Sequence, residues 1–316
     1  MKLDDKQLRS LIHGSYSIKE RDGGFISFTH YTDEQVDYLT FNTFYSERAV
    51  YSSSVTLEFT GTAEKIALTY RVFGGRPSDT IEAFADGVPV SIFHTEGNVI
   101  EAKAEFTLPA GEKNVVVYLP LDFECGIKDV EIDGEWAPVA PRETKVLWIG
   151  DSITQGYGTF RTAETYVNVA NRTLGYEILN QGIGGYWYDE RVMKSMPGYR
   201  PDKIIVAMGT NQHRSPDKLE RVTKFYEALA NVYPGVPVLA ITPIWRGDPT
   251  SNLGELKEIS KMIADTAAKY DNIRVVDGFT LVPNLKEYYF DLLHPNALGG
   301  HIYGENLAAC IKKIGF

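Results

Sequence analysis

Three side chains in this sequence are of the types, and stand at the spacings, that activate a hydroxyl for attack on an ester. Ser152 follows an apolar run, Val146-Leu-Trp-Ile149, and a Gly-Asp pair, so its hydroxyl falls where a buried strand gives way to a loop. Ligands of open α/β sheets bind at such carboxyl ends of strands. Far along the chain, Asp291-Leu-Leu-His294 sets a carboxylate three residues before an imidazole. A serine hydroxyl is a poor nucleophile until a base takes its proton, and neutral imidazole is the base suited to pH near 7. The imidazole needs its other ring nitrogen held, and Asp291, on a turn or helical face, reaches it and fixes the tautomer. Attack creates an oxyanion that requires donors already in place. The backbone N–H of Ser152, one N–H from Gly182-Ile-Gly-Gly185 and the side-chain amide of Asn211, in Gly209-Thr-Asn211, are the candidates.

Each residue also has a plainer reading. An isolated serine after a strand is most simply a helix N-cap, and the plainer reading of His294, just before Pro295, is a place at a helix start. It is the set of segments, in order, that favours the catalytic reading. Asp151 is expected to be structural, bonding loop amides. The glycine loop mimics part of a dinucleotide fingerprint but lacks the full G-x-G-x-x-G. No G-x-S-x-G elbow surrounds Ser152, which argues against the α/β-hydrolase fold. Tyr186-Trp187-Tyr188 extends the glycine loop and is a candidate platform for a sugar ring or other flat apolar face. For Trp245 and Arg246, near the active edge of the sheet, functional and packing readings stand level; Trp245 joins Tyr186 and Trp187 as a candidate substrate contact. For His213, a place in the cleft and a place on the surface stand level too.

The elements that must position these residues change rhythm partway along the chain. Up to residue 133 the sequence reads as short strands punctuated by turns: Phe25–Thr29, Val36–Phe41, Val55–Thr60, Ile66–Phe73, Thr80–Ala85, Val88–Phe93, Glu101–Leu108, Asn114–Leu119 and Ile127–Ile132. Several alternate polar and apolar residues, and Asp86-Gly87 is a hairpin signal. Many strands with few helices predict a jelly-roll-like β-sandwich. Residues 134–143, with Pro138 and Pro141, read as a linker in which proline discourages both helix and ladder. From 144 to 316, short β-branched runs at 146–149, 177–179, 203–208, 236–241 and 273–276 alternate with helical stretches near 163–174, 216–233, 252–270 and 297–313. That alternation predicts a parallel sheet covered by helices on both faces.

Gly150-Asp-Ser152, Asn180-Gln-Gly-Ile-Gly-Gly185, Gly209-Thr-Asn211 and Asp291-Leu-Leu-His294 resemble, in order, the four blocks of the SGNH hydrolases, also called the GDSL esterase/lipase superfamily. The resemblance covers residues 144–316 and implies a flavodoxin-like five-stranded parallel sheet flanked by helices. It implies Ser152 as nucleophile, His294 as base and Asp291 as its orienter. By its register the loop donor of the oxyanion hole is Gly185 rather than Gly184, alongside Ser152 and Asn211. Two positions depart from the pattern: Tyr186 and Gln212 stand where aspartate is common. A β-sandwich ahead of such a domain is similar to carbohydrate esterase family two. The resemblance therefore implies a serine esterase that removes short acyl groups, acetyl above all, from carbohydrate or related small substrates. An acyltransferase, a lipase or thioesterase on the same scaffold, or an inactive carbohydrate-binding protein are the alternatives.

Composition bounds the rest. The 316 residues carry a formal net charge of −10 with the acids scattered, which disfavours nucleic acid and anionic membranes as partners. No segment approaches the ~18 apolar residues of a membrane span, and the first residues contain no apolar core of a signal peptide. Two cysteines suit a reducing compartment, so a cytoplasmic location is expected. No histidine/acid cluster has ligand spacing, so neither metal nor cofactor is expected. The expected partner is a small-molecule or oligosaccharide ester.

Overall fold

The computed structural model describes residues 1–316. In its C-terminal part five strands run parallel: Lys145–Gly150, Glu177–Gly182, Lys203–Ala207, Val238–Ile241 and Ile273–Val276. In space the second strand lies outermost, followed by the first, third, fourth and fifth. Successive strand side chains point to opposite faces, and here both faces are covered. Leu147, Ile149, Ile204 and Val206 pack beneath Phe225, Leu229, Ile259 and Ile263 of helices Lys218–Val232 and Leu253–Ala267. Val146, Trp148, Ile205 and Leu239 pack beneath Tyr166, Val167, Tyr303 and Leu307 of helices Tyr166–Leu174 and Ala297–Ile314. Double burial is why these strands read as unbroken apolar runs.

The N-terminal part is a β-sandwich of two antiparallel sheets. One orders Ser17–Arg21, Phe25–Thr29, Phe123–Ile132, Lys65–Gly75 and Glu101–Thr107; the other orders Ile12–His13, Thr56–Gly61, Lys113–Tyr118, Thr80–Ala85 and Val88–His94. Between them lies a core of alternate residues such as Phe28, Phe59, Leu68, Ile81, Phe106 and Val117. Asp86 and Gly87, both at positive φ, make the hairpin turn that joins two of the strands.

Two stretches fold otherwise than the sequence reading predicts. Val36–Phe41 is not a strand: Asp33–Leu39 is a helix, started by a capping box in which the Thr32 side chain accepts from Gln35 N and the Gln35 side chain accepts from Thr32 N. Local capping outweighs the β-branched look of the segment. The proline-containing stretch 134–143 is partly ordered into a ladder, since Trp136–Pro138 pairs with Phe59–Gly61. It pairs at the margin of its sheet, where the missing proline N–H can face outward, so the ladder loses no bond.

The two halves share a core. Tyr31, Leu39, Tyr45 and Ala49 of the N-terminal half belong to the same apolar cluster as Leu147, Leu179 and Val206 of the parallel sheet. Buried polar contacts stitch the junction: Tyr31 Oη donates to Gln181 O at 2.7 Å, Gln35 Nε2 to Val192 O at 2.9 Å, and Gln181 Nε2 to His30 O at 2.7 Å. Arg161 holds fully buried Glu82 through two hydrogen bonds of 3.0 and 2.7 Å.

Candidate active site

Strand order brings the sequence blocks together. The first strand lies between the second and the third, with Gly150 in register with Gly182 on one side and Ala207 on the other. The chain order reverses there, and such switch points leave a crevice at the carboxyl ends of the strands. Ser152, the glycine loop after the second strand and Asn211 after the third all emerge into it. Gly150 has no room for a side chain, because a Cβ would run into Thr154 of the helix Ser152–Gln155. That closeness lets the chain turn from strand into helix within two residues. Asp151 caps the turn, its Oδ1 accepting from Ile153 N at 3.0 Å. Burial pushes the Asp151 carboxyl up to about 7, with Arg246 acting in the opposite direction.

Ser152 Oγ lies 2.8 Å from His294 Nε2, and His294 Nδ1 lies 2.8 Å from Asp291 Oδ2. The other Asp291 oxygen accepts from the main-chain N–H groups of His294 at 2.8 Å and Leu293 at 3.1 Å. One carboxylate therefore folds the turn, with Leu292 at φ +65°, and orients the ring. Burial opposes ionisation of Asp291, but these N–H donors and the imidazole outweigh it and hold the carboxyl below its ordinary range. Tyr157 packs edge-on to the His294 ring, with centroids 4.8 Å apart.

The donors expected around an oxyanion are positioned by neighbours. Gly184 N–H is taken by Gln155 Oε1 at 2.7 Å, while Gly185 N–H carries no such bond and is left for a ligand. Gly185 has φ +73°, left-handed backbone that favours glycine, and a Cβ there would sit 3.2 Å from the Phe44 ring. Asn211 Nδ2 donates one hydrogen to Tyr186 O at 2.8 Å, which fixes the amide and leaves its second hydrogen available. Gln212 clips the main chain of Tyr188, its Oε1 accepting from Tyr188 N at 2.6 Å. Arg246 braces the same region by donating to Thr210 O at 2.8 Å.

Ser152, Gly185, Asn211 and His294 line one cleft of about 790 Å³. The three aromatic residues singled out as substrate contacts do not. Tyr186 is only 3% exposed, stacks on Trp187 and donates to Asp189. Trp187 packs edge-on against Tyr45, and Trp245 stacks on Phe279 while donating to Phe279 O at 2.9 Å. Tyr186 and Trp187 are packing residues because the N-terminal helix carrying Tyr45 covers the aromatic loop, and Trp245 is held by Phe279. His213 is buried, with both ring nitrogens against carbonyl oxygens, and faces neither cleft nor solvent. The cleft wall comes instead from residues that sequence reasoning did not find: Phe44, Glu47, Arg48 and Tyr51 on one stretch, and Arg76 and Asp122 on two others. The Asn42 cap of helix Thr43–Arg48 was the available signal for the first group.

A parallel sheet of this strand order, with a serine, histidine and aspartate joined at its switch point, is the fold of an SGNH hydrolase. Residues 148–302 match the GDSL-like lipase/acylhydrolase family. Among solved structures it is similar to the salicylyl-acyltransferase SsfX3 from a tetracycline biosynthetic pathway, at TM-score 0.77 and 18% identity, covering 96% of this chain and 94% of the other. It is also similar to a family two carbohydrate esterase from Clostridium thermocellum, at TM-score 0.68 and 18% identity, with 96% and 98% covered. An acetyl xylan esterase, Est2A, from Butyrivibrio proteoclasticus has TM-score 0.66 and 15% identity, with 100% and 99% covered. At these identities the likeness is one of fold, sandwich included. No match was found among curated protein sequences.

Proposed function

We propose that this chain is a serine esterase that releases short acyl groups, acetyl above all, from hydroxyl-bearing small molecules such as carbohydrates. The observation that carries the reading is the unbroken chain of hydrogen bonds from Ser152 Oγ through His294 to Asp291 at one end of a substrate-sized cleft. In the reaction, His294 Nε2 takes the Ser152 proton as Oγ bonds to the ester carbonyl carbon. The carbonyl oxygen becomes an oxyanion held by the N–H groups of Ser152 and Gly185 and by Asn211 Nδ2. His294 returns the proton to the departing alkoxide, leaving an acyl-enzyme and an alcohol. Water, deprotonated by His294, then cleaves the acyl-enzyme to the acid and restores Ser152.

Short acyl groups are proposed on the likeness in fold, sandwich included, to family two carbohydrate esterases and an acetyl xylan esterase. The charged and amide side chains that line the cleft suit a hydroxylated alcohol. Tyr186 and Trp187 lie outside the cleft and set no limit on the acyl chain. The fold of an acyltransferase neighbour keeps transfer in view, and product analysis in the presence of added alcohols separates the two reactions.

A serine-directed phosphonate should label the wild type on Ser152 and leave Ser152→Ala unlabelled, and p-nitrophenyl acetate should be turned over faster than the octanoate. Labelling elsewhere, or full activity in Ser152→Ala, overturns the nucleophile assignment. A higher kcat/KM for octanoate overturns the acyl preference.

A further inference from the structure

We propose that the ester this cleft accepts carries a carboxylate, bound by Arg48 and Arg76. The inference rests on the esterase reading above and narrows its substrate class. Most arginines of this chain are paired with an acid. Ten of the fourteen lie within 4.0 Å of a carboxylate, as expected where acids outnumber bases. Of the four that do not, Arg200 and Arg274 lie outside the cleft, each donating to a main-chain carbonyl, at Pro234 and Ile314. The other two, Arg48 and Arg76, both line the cleft of Ser152 and His294.

Arg48 is held in place without being neutralised. Its Nη1 donates to Phe44 O at 3.0 Å, and its guanidinium lies 3.4 Å from the centre of the Phe44 ring. The edge of that ring lies against Gly185, and the Arg48 stem lies against Gly184, 2.9 Å from where a Cβ would be. The guanidinium is thus fixed beside the loop that offers its N–H to the oxyanion, with its remaining donors unspent. An arginine fork matches a carboxylate through paired hydrogen bonds. Arg76, exposed and without a hydrogen bond, adds a second positive charge to the same cleft.

The cleft also contains two acids. Asp122 gives one oxygen to Ser78, accepting from its N and its Oγ, while the other oxygen is buried without a partner. Burial raises the Asp122 carboxyl to about 6, and its bonds to Ser78 work against that rise. Glu47 is exposed and lies within ion-pair distance of no cation. Neither acid neutralises the arginines by contact. Two cations without a carboxylate partner, lining the cleft of the reacting serine, suit an anionic substrate; a neutral one leaves Arg48 oriented for nothing.

The carboxylate can belong to the alcohol or to the acyl group, and two substrate pairs separate these sources. The first compares acetylated methyl glucuronoside with acetylated methyl glucoside; the second compares p-nitrophenyl hemisuccinate with p-nitrophenyl butyrate. In one pair the anionic member should have the higher kcat/KM by roughly ten- to hundred-fold at low salt, and the preference should shrink as salt rises. The ratio should collapse in Arg48→Gln, persist in part in Arg48→Lys, fall in Arg76→Gln and grow in Glu47→Gln. A change in protein stability would move both members of a pair together and leave the ratio alone. Calorimetric titration of the wild type with methyl glucuronoside and with succinate tests the same point without turnover or substitution. No anionic preference in either pair, or a ratio unchanged in both Arg48→Gln and Arg76→Gln, overturns the proposal. Failure of Ser152 to react with phosphonate would sink the esterase reading instead, and calorimetry would still decide the carboxylate site.

Discussion

Replacing Asp291 by asparagine keeps the shape of the site and changes one proton, so its cost can be worked out from the hydrogen bonds. Oδ1 of Asp291 accepts from two main-chain N–H groups, at 2.8 and 3.1 Å. An asparagine must keep its oxygen there, because turning its NH2 toward two donors would forfeit both bonds, at about 1 kcal/mol or more each. Its NH2 then faces His294 Nδ1, where Oδ2 was 2.8 Å away, and donates to it. The imidazole proton is forced onto Nε2, the nitrogen that has to accept from Ser152. Returning to the productive tautomer sets N–H against N–H, costing roughly 2–3 kcal/mol. Loss of the carboxylate removes a further 2–3 kcal/mol or so of imidazolium stabilisation, a Coulomb energy discounted for a side chain 39% exposed. The sum, about 4–6 kcal/mol, is a thousand- to ten-thousand-fold loss in kcat. Steady-state kinetics on p-nitrophenyl acetate should show this with KM little changed, phosphonate labelling should slow in parallel, and thermal unfolding should stay close to wild type because the turn keeps its bonds. A loss below tenfold in a folded protein would refute the reasoning and mean that another acceptor holds the ring.

Asn211→Ala should lower kcat by roughly 10²–10³ with little change in KM, since its amide meets the oxyanion only after attack; a rise in KM alone would make it a substrate-positioning residue. Gly185→Ala should cost both stability and rate, because its φ of +73° strains a Cβ that also presses on Phe44; a Tm and kcat matching wild type would contradict that. His13, buried at the domain junction, lies 3.1 Å from Glu177, and although burial opposes its charge, the hydrogen bond to Glu177 raises it above the ordinary 6.5, while His13 draws Glu177 below 4.5 against the same burial. The His13 contribution is complete below 6.5 and fades as pH rises through the raised value; that of Glu177 is present above 4.5 and fades as pH falls through the lowered one. Denaturant unfolding should therefore find His13→Gln destabilised by about 1–2 kcal/mol near pH 5.5 and by less at pH 8.5; an equal deficit at both would dismiss the ion pair. Removing residues 1–133 should give insoluble or nearly inactive protein, because Tyr31, Leu39, Tyr45 and Ala49 complete the apolar cluster beneath the parallel sheet; a soluble fragment with unchanged kinetics would count against a shared core.

The parallel sheet was legible because its signals are local. Each strand is an apolar run buried on both faces, and the chemistry sits within a few residues of its end. Turn chemistry was equally readable where backbone demanded it, as at Asp86-Gly87. The strand expected at Val36–Phe41 is a helix, and helix Thr43–Arg48 has no periodic signal, because the decisive signals there are caps: Thr32 with Gln35 and Asn42 with Phe44 fix two short helices in a stretch rich in β-formers. Aromatic residues misled for a related reason. Tyr186 and Trp187 flank the right loop, but whether a ring faces a cleft or a core depends on what packs above it. Here the cover is Tyr45, 141 positions earlier than Tyr186, a partner that spacing along the chain does not reveal.

That same short helix links the two halves of the problem. Tyr45 on one side of Thr43–Arg48 seals the aromatic loop, while Phe44 and Arg48 on another side enter the cleft. The packing that fixes the oxyanion loop is therefore also the packing that aims Arg48. Gln155 ties the arrangement from below, its Oε1 accepting from Gly184 N at 2.7 Å and its Nε2 donating to Leu121 O of the sandwich at 3.4 Å. Selectivity of the cleft cannot then be separated from the placement of its donors. A substitution at Tyr45 or Gln155, neither of which carries a step of the reaction, would shift Gly185 and Arg48 together. Its effect on kcat for a neutral acetate should accordingly be accompanied by a change in the anionic-to-neutral ratio, whereas loss of Asn211, anchored to Tyr186 O on the hydrolase side alone, should lower rates on both kinds of ester alike.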